Sequence, residues 1–211
     1  MSGPMIEGRY VRLEPLCAAH ASDVYRATCN DEAISRAAFM VEPPPRDESA
    51  RDQWFARKVA WDGRTYFACV DPSSNRANGF LAYMRDETAH RSVEIGDVLF
   101  GEGLQRTPAA TEAVYLMLRN AFETKKYRRV EWKCDTRNEG SYRAAQRFGF
   151  TFEGVFRQHM IIRGESRDSA WFSMLDGEWP ARKAAFDRWL APDNFDPAGA
   201  QRASLADLRG G

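Results

Sequence analysis

The sequence predicts a mixed α/β protein built on a single sheet. Short alternating or wholly apolar runs, bounded by turn residues, recur as strands. Longer runs with apolar residues at helical spacing lie between them. Their order is strand, two helices, three strands, helix, strand, helix, two strands and a terminal helix. That suits one layer of sheet covered by helices.

"IEGRYVRLEPL", Ile6 to Leu16, alternates polar and apolar residues and predicts a first strand. "CAAHASDVYRATCN" predicts a helix. The three prolines of "VEPPPRDES" then bar regular structure, and Asp47 or Ser49 can cap a second helix carrying Trp54, Phe55, Val59 and Trp61. Its aromatic stripe reads as core. Thr65 to Glu87 predicts a hairpin turning at "PSSNRANG". "RSVEIGDVLF" is the next strand, Ala109 to Thr124 a helix, and Arg128 to Asp135 a strand. The crossover rule makes these two strands parallel. "NEGSYRAAQRFGF" predicts a short helix ended by Gly149, "FEGVFRQHMII" and "RDSAWFSML" a last hairpin, and "EWPARKAAFDRWL" a terminal helix with Pro180 in its first turn. Residues 1–190 thus form a single domain. Residues 191–211, polar and rich in Pro and Gly, predict a flexible tail.

The 211 residues are 44% hydrophobic, enough for a sizeable core. Thirty Lys plus Arg balance thirty Asp plus Glu, so general nucleic-acid binding, which needs a basic surface, is not expected. Four cysteines, Cys17, Cys29, Cys69 and Cys134, form no C-x-x-C pair, and three scattered histidines give no zinc spacing. No metal is expected. There is no apolar signal core at the N-terminus and no run of about 18 apolar residues. Reduced thiols, no membrane association and a cytoplasmic location are the expectation.

"VLFGEGLQRTPAATEAVYLMLRNAF", Val98 to Phe122, joins a strand to a helix N-terminus, an arrangement that suits anions. Together "EIGDVLF…LQRTPAATEA" and "N..S..AAQRFGFTFEG" resemble the GNAT-type N-acetyltransferases. The similarity extends to the branch with the Rim-type enzymes that acetylate ribosomal-protein N-termini, through "FRQHMIIRGESRDSAWFSMLDGEWP". It covers roughly Ile6 to Leu190.

The resemblance implies a mostly antiparallel sheet whose central parallel pair, Val93–Phe100 and Val130–Asp135, splays to admit acetyl-CoA. It implies an extended pairing of the cofactor arm with Val98, Leu99 and Phe100. It also implies a pyrophosphate turn at Gln105, Arg106, Thr107, Ala109, Ala110 and Thr111. Here the chain departs from the family, because Pro108 stands where the first glycine belongs. Proline removes a donor, but at a first helical position that costs least, and Arg106 can add a charged contact to phosphate. Asn138 matches the residue that holds the pantetheine amide, and Ser141 the one near the cofactor sulfur. Ala145 stands where many GNAT enzymes carry a tyrosine acid, so Ser141 is the candidate proton donor to the thiolate. A plain helix cap is its other reading.

Transfer from a thioester to an amine needs a neutral amine, a stabilised oxyanion and a protonated leaving group. An α-amine of pKa near 8 is roughly a tenth neutral at pH 7, so a carboxylate acting through water suffices. Glu94 and Asp97 are the candidates. Strand alternation sets them on opposite faces unless a bulge intervenes, and Gly96 is its expected place. Glu94 can equally be structural, paired with Arg91 or Arg128. A backbone N–H near Val98 or Leu99 would meet the oxyanion. Trp132 and Cys134 share one strand face and could line the acceptor pocket; with no nearby His in sequence, Cys134 is not a nucleophile. His159 and Asp168 could meet across the last hairpin and flank the acceptor. The acceptor is an amine on a small molecule, an aminoacyl compound as in the similar microcin C immunity acetyltransferases, or a protein N-terminus. The protein acts as a monomer or homodimer. The competing reading is a GNAT-fold module that binds CoA or another ligand without turnover.

Overall fold

The computed structural model describes residues 4–29 and 37–210. The eight strands follow the sheet order β1-β2-β3-β4-β5-β6-β8-β7, and the fold is the expected mixed α/β one, mostly antiparallel with flanking helices. The chain divides into two compact units, residues 1–88 with 93–116 and residues 89–92 with 117–211.

In the first unit the predicted first strand is two. β1 (Ile6–Glu7) and β2 (Arg12–Pro15) pair antiparallel. The bend between them is held by Glu112, whose carboxylate accepts the N–H groups of Arg9, Tyr10 and Val11 at 2.9, 2.6 and 2.9 Å. Alternation cannot reveal such a bend, because the residue that makes it is remote in sequence. α1 (Ala21–Thr28) buries Ala21, Val24 and Thr28, one stripe at helical spacing. Asp47 caps a 3-10 turn at Glu48–Ala50 by accepting Ser49 N–H at 2.9 Å, just ahead of α2 (Arg51–Val59). That helix buries Trp54, Phe55 and Lys58. The two aromatics join Leu16, Val24, Tyr66, Ala68, Phe80 and Leu99 in one core, as expected, with Trp61 packed at its margin.

β3 (Arg64–Val70) and β4 (Ala77–Glu87) form the predicted hairpin, pairing Thr65 with Tyr83 and Phe67 with Leu81. In its turn Asp71 accepts from Ser73 N, Ser73 Oγ and Ser74 Oγ, and the Ser73 backbone bond leads in holding its carboxyl below the ordinary range. β5 (Ser92–Phe100) follows, and α3 (Pro108–Arg119) starts at Pro108.

In the second unit a π turn (Asn120–Thr124) ends the α3 run, where one continuous helix is predicted. β6 (Arg129–Asp135) pairs antiparallel with β8 (Glu165–Leu175), which pairs antiparallel with β7 (Thr151–Ile162). Between them α4 (Glu139–Phe148) ends at Gly149, whose φ of 91° is the left-handed stop a glycine provides. α5 (Trp179–Leu190) buries Trp179, Ala185, Phe186 and Trp189.

Residues 191–210 are folded rather than loose. Two 3-10 turns, Pro192–Asn194 and Asp207–Arg209, flank a segment in which Leu205 is 1% exposed. Asn194 donates to Trp189 O and Ala203 O and accepts from Ala203 N, while Trp189 Nε1 donates to Gln201 Oε1 at 2.8 Å. Composition missed this order because a few Asn and Asp side chains satisfy the local backbone, and two apolar anchors, Phe195 and Leu205, suffice to seat it.

Candidate active site

Each unit carries part of the predicted machinery. In the first, β5 runs Val93, Glu94 and Ile95 buried, then breaks at Asp97, whose φ is 47°. A left-handed residue inside a strand interrupts the alternation. The break expected near Gly96 is therefore real and falls one residue later. It turns Asp97 onto a buried cluster: its Oδ2 accepts from Lys58 Nζ at 2.9 Å, Arg64 Nη1 at 3.0 Å and the Tyr66 hydroxyl. Lys58 is 0% exposed. Burial first, and then the Asp97 charge, push the Tyr66 phenol far above its ordinary range, so it stays a donor. The Arg64 guanidinium stacks 3.7 Å over Trp61. Asp97 is thus the anion of an ion-pair cluster, an arrangement at odds with the candidate base role. A carboxylate at position 97 gives the buried Lys58 and the half-buried Arg64 a counter-charge.

Sequence reading missed Lys58 and Arg64. The available signal was the spacing of Lys58 after Trp54 and Phe55, which puts an ammonium on the inward face of α2.

Glu94 is 2% exposed, and its Oε2 lies 3.9 Å from Arg85 Nε. An arginine does stand beside Glu94, as the structural reading of that carboxylate supposes. Among the two carboxylates of β5, Glu94 is the one outside the Lys58 cluster.

The turn after β5 is tightly specified. Gly101 N–H donates to Asn78 O at 2.8 Å, and a Cβ there would lie 2.6 Å from Ala27 O, so only glycine fits. Gln105 donates Nε2 to Phe100 O at 2.8 Å, which turns its side chain back onto the strand end. Thr107 Oγ1 donates to Leu104 O at 2.6 Å and accepts Ala110 N–H at 3.3 Å, the geometry of an N-cap. Arg106 is exposed with φ 58°. Ala110 and Thr111 point inward and are buried, so any role for them toward an anion is through backbone N–H groups.

In the second unit Asn138 caps α4: its Oδ1 accepts Ser141 N–H at 3.0 Å. Ser141 is therefore not the cap. Its Oγ accepts the Trp132 indole N–H at 3.0 Å and hydrogen-bonds the Cys134 thiol, which burial pushes above its ordinary range. Trp132 and Cys134 do share a face, but Trp132 packs on Phe148 and Phe150 at 6.0 and 5.8 Å, a core placement rather than a pocket lining. His159 and Asp168 lie on facing strands of the last hairpin. His159 Nδ1 lies 2.9 Å from Ser169 Oγ, and Asp168 accepts Gln158 N–H at 2.7 Å. The register shifts between Phe156 and Met160, and Gln158 has φ 50°, a bulge beside these two residues. On the same hairpin Arg167 is 8% exposed, and its Nε has no hydrogen-bond partner.

The family model for the acetyltransferase (GNAT) domain matches residues 11–151, which contain both the β5–α3 turn and the Asn138–Ser141 helix start. The chain belongs to the GNAT acetyltransferase family. A GCN5-related N-acetyltransferase from Brucella melitensis is 44% identical to this GNAT protein, with TM-score 0.95, covering 98% of this chain and 94% of that one. A structure from Chromobacterium violaceum, described as an acetyltransferase of the GNAT family, is 43% identical with TM-score 0.78, covering 85% and 91%. A Vibrio cholerae structure described as a ribosomal-protein-serine acetyltransferase is 18% identical with TM-score 0.69, covering 83% and 99%, and shares the fold alone. No curated protein matches the chain. Among the described residues no helix is long and apolar enough to cross a membrane, and no group of three or more His, Cys, Asp or Glu is arranged to hold a metal ion.

Proposed function

We propose that this GNAT protein is an acetyl-CoA-dependent N-acetyltransferase that moves an acetyl group directly to a primary amine. The observation that carries this reading is the state of Ser141. Asn138 has taken over the capping, and Trp132 donates into the Ser141 oxygen, so the hydroxyl proton, now facing Cys134, can turn to the cofactor sulfur. That is what a departing thiolate requires.

Acetyl-CoA supplies the activated acetyl thioester. For binding, the Gln105–Thr111 turn offers a helix N-terminus with Arg106 exposed beside it. The backbone of Val98, Leu99 and Phe100 offers an edge for the cofactor arm, and the Asn138 side-chain amide offers a donor to it. A backbone N–H at Val98 or Leu99 stabilises the oxyanion. Glu94, outside the Lys58 cluster, draws the amine proton through a water. The acceptor is an α-amine of a small molecule, an aminoacyl compound or a protein N-terminus; the likeness to the Rim-type branch favours the last. The reaction is cytoplasmic, in keeping with four free thiols, and the protein acts as a monomer or homodimer.

Pro108 favours a second reading, a module that binds CoA without turnover. A proline at the start of α3 gives that position no N–H for phosphate. Titration calorimetry with acetyl-CoA, followed by thiol release with a panel of α-amines and alkyl amines, separates the two. Binding with amine-dependent thiol release supports the enzyme, binding without release supports the module, and no binding overturns both.

A further inference from the structure

Away from the β5 and α4 residues, the first unit holds a cavity of about 290 Å³ lined by Met5, Glu7, Arg12, Glu14, Pro15, Cys17 and His20. Three of these form a chain of contacts. Cys17 Sγ lies 3.6 Å from His20 Nδ1, and His20 Nε2 lies 3.2 Å from Glu14 Oε2. Glu14 is fixed in turn by Arg12, whose Nε donates to Oε1 at 2.6 Å while its Nη2 reaches Asn75 Oδ1 at 3.0 Å. Burial alone would raise the Glu14 carboxyl; the bonds from Arg12 and His20 outweigh it and hold the group below its ordinary range, so it is an anion beside the imidazole.

The backbone settles the tautomer. Cys17 N–H donates to His20 Nδ1 at 3.2 Å, so Nδ1 carries the lone pair and Nε2 carries the proton given to Glu14. That lone pair is shared between the Cys17 N–H at 3.2 Å and the Cys17 sulfur at 3.6 Å. A thiol within reach of a base that is itself oriented by a carboxylate is the arrangement of an activated nucleophile. The other cysteines differ. Burial pushes the Cys29 thiol up to about 11 and raises those of Cys69 and Cys134, whereas Cys17 is exposed.

We propose that Cys17, with His20 as base and Glu14 as its orienting partner, is a reactive thiol that exchanges with small charged disulfides entering this cavity. His20 Nδ1 takes the thiol proton, and the Cys17 sulfur attacks one sulfur of the disulfide. A new S–S bond forms as the old one breaks, and the departing thiolate takes the proton from the imidazolium. The products are a protein mixed disulfide and one free small thiol, with no other oxidant required. Disulfide exchange fits better than acyl transfer. An acyl intermediate needs N–H donors aimed at its oxyanion, and the Cys17 N–H is already committed to His20. Glu7, Glu14 and Arg12 give the cavity charges of both signs, suited to a zwitterionic disulfide.

The test uses the full chain, oxidised glutathione and intact-mass spectrometry with peptide mapping. The expected result is one glutathione adduct, at Cys17, absent in Cys17→Ser. His20→Asn should slow its formation at pH 7 by about tenfold or more, the effect of removing a positioned base. Glu14→Gln, which leaves the Cys17–His20 contact in place, should slow it by a smaller factor at an unchanged melting temperature. An adduct that maps to another cysteine, or a rate for Cys17 equal to that of free glutathione and insensitive to Glu14→Gln, overturns the proposal. The readout does not involve acetyl-CoA, so its outcome is independent of the acetyl-transfer reading.

Discussion

Replacing Asp97 by asparagine keeps the shape of the side chain and removes its charge. In the folded protein that charge neutralises Lys58, which is 0% exposed and 2.9 Å away, and Arg64 at 3.0 Å. The nearest other carboxylate to Lys58 is Glu42, with Oε2 at 4.0 Å. Removing one member of a buried pair leaves an uncompensated charge and costs about 3–5 kcal/mol. In a chain of this size each kcal/mol moves the melting temperature by about 2–4 °C, so Asp97→Asn should lower it by about 10 °C. Thermal unfolding followed by circular dichroism measures this. Combining Asp97→Asn with Lys58→Met should recover part of the loss, because the stranded ammonium goes with its partner, and the double-mutant cycle gives the coupling. A single variant melting within about 2 °C of the parent would refute the ion-pair account. If that variant also lost acetyl transfer, Asp97 would return as the base.

Ser141→Ala should slow the chemical step about 10²–10³-fold with acetyl-CoA affinity and melting temperature nearly unchanged, whereas Asn138→Ala should cost about 1 kcal/mol of stability as a lost cap; rapid-quench kinetics and thermal melts read the two. Arg167→Met should raise stability by about 1 kcal/mol or more, since it removes a buried guanidinium whose Nε lacks a partner; a lower urea midpoint would show that Arg167 is better satisfied than its Nε suggests. Acid titration of the fold should show a contribution from Glu153, whose carboxyl the Arg129 bonds hold down to about 2, below its ordinary 4.5. A depressed pKa stabilises the fold above about pH 4.5, and that share is lost as pH falls from about 4.5 toward about 2; Glu153→Gln should flatten this part of the stability curve.

The β3–β4 hairpin and the α4 boundaries are legible in the sequence because their causes are local. A turn cluster sits between two apolar runs in one case, and Asn138 and Gly149 bracket a helical stripe in the other. What could not be read depends on residues far apart in the chain or on small shifts of register. The β1–β2 bend is made by Glu112, more than a hundred residues later. The Asp97 cluster draws on α2 and β3, and nothing near Asp97 in sequence announces Lys58 or Arg64. The bulge at Gln158 on the last hairpin is equally invisible in the alternation, because extra residues change which side chains face each other. The Cys17-x-x-His20 spacing was open to view. Its third member, Glu14, belongs to a strand with its own alternation, so the three residues look unrelated until the chain turns.

The two carboxylates of β5 show how one backbone irregularity divides roles that composition leaves equal. Glu94 and Asp97 stand three residues apart in one strand. In regular geometry they would point to opposite faces with nothing to rank them. The positive φ at Asp97 breaks that symmetry. It delivers Asp97 to two cations and a tyrosine, where its Oδ2 is taken by donors. Glu94 lies outside that cluster, with Arg85 Nε at 3.9 Å, and is the carboxylate of β5 to which the proposed function gives the amine proton. The irregularity falls just before Val98 and Leu99, the backbone assigned to the oxyanion. Anchoring Asp97 therefore anchors the first residue of the stretch on which the proposed chemistry depends. Under the proposed function its salt bridges would act on catalysis through the position of the strand, without Asp97 touching a reacting atom.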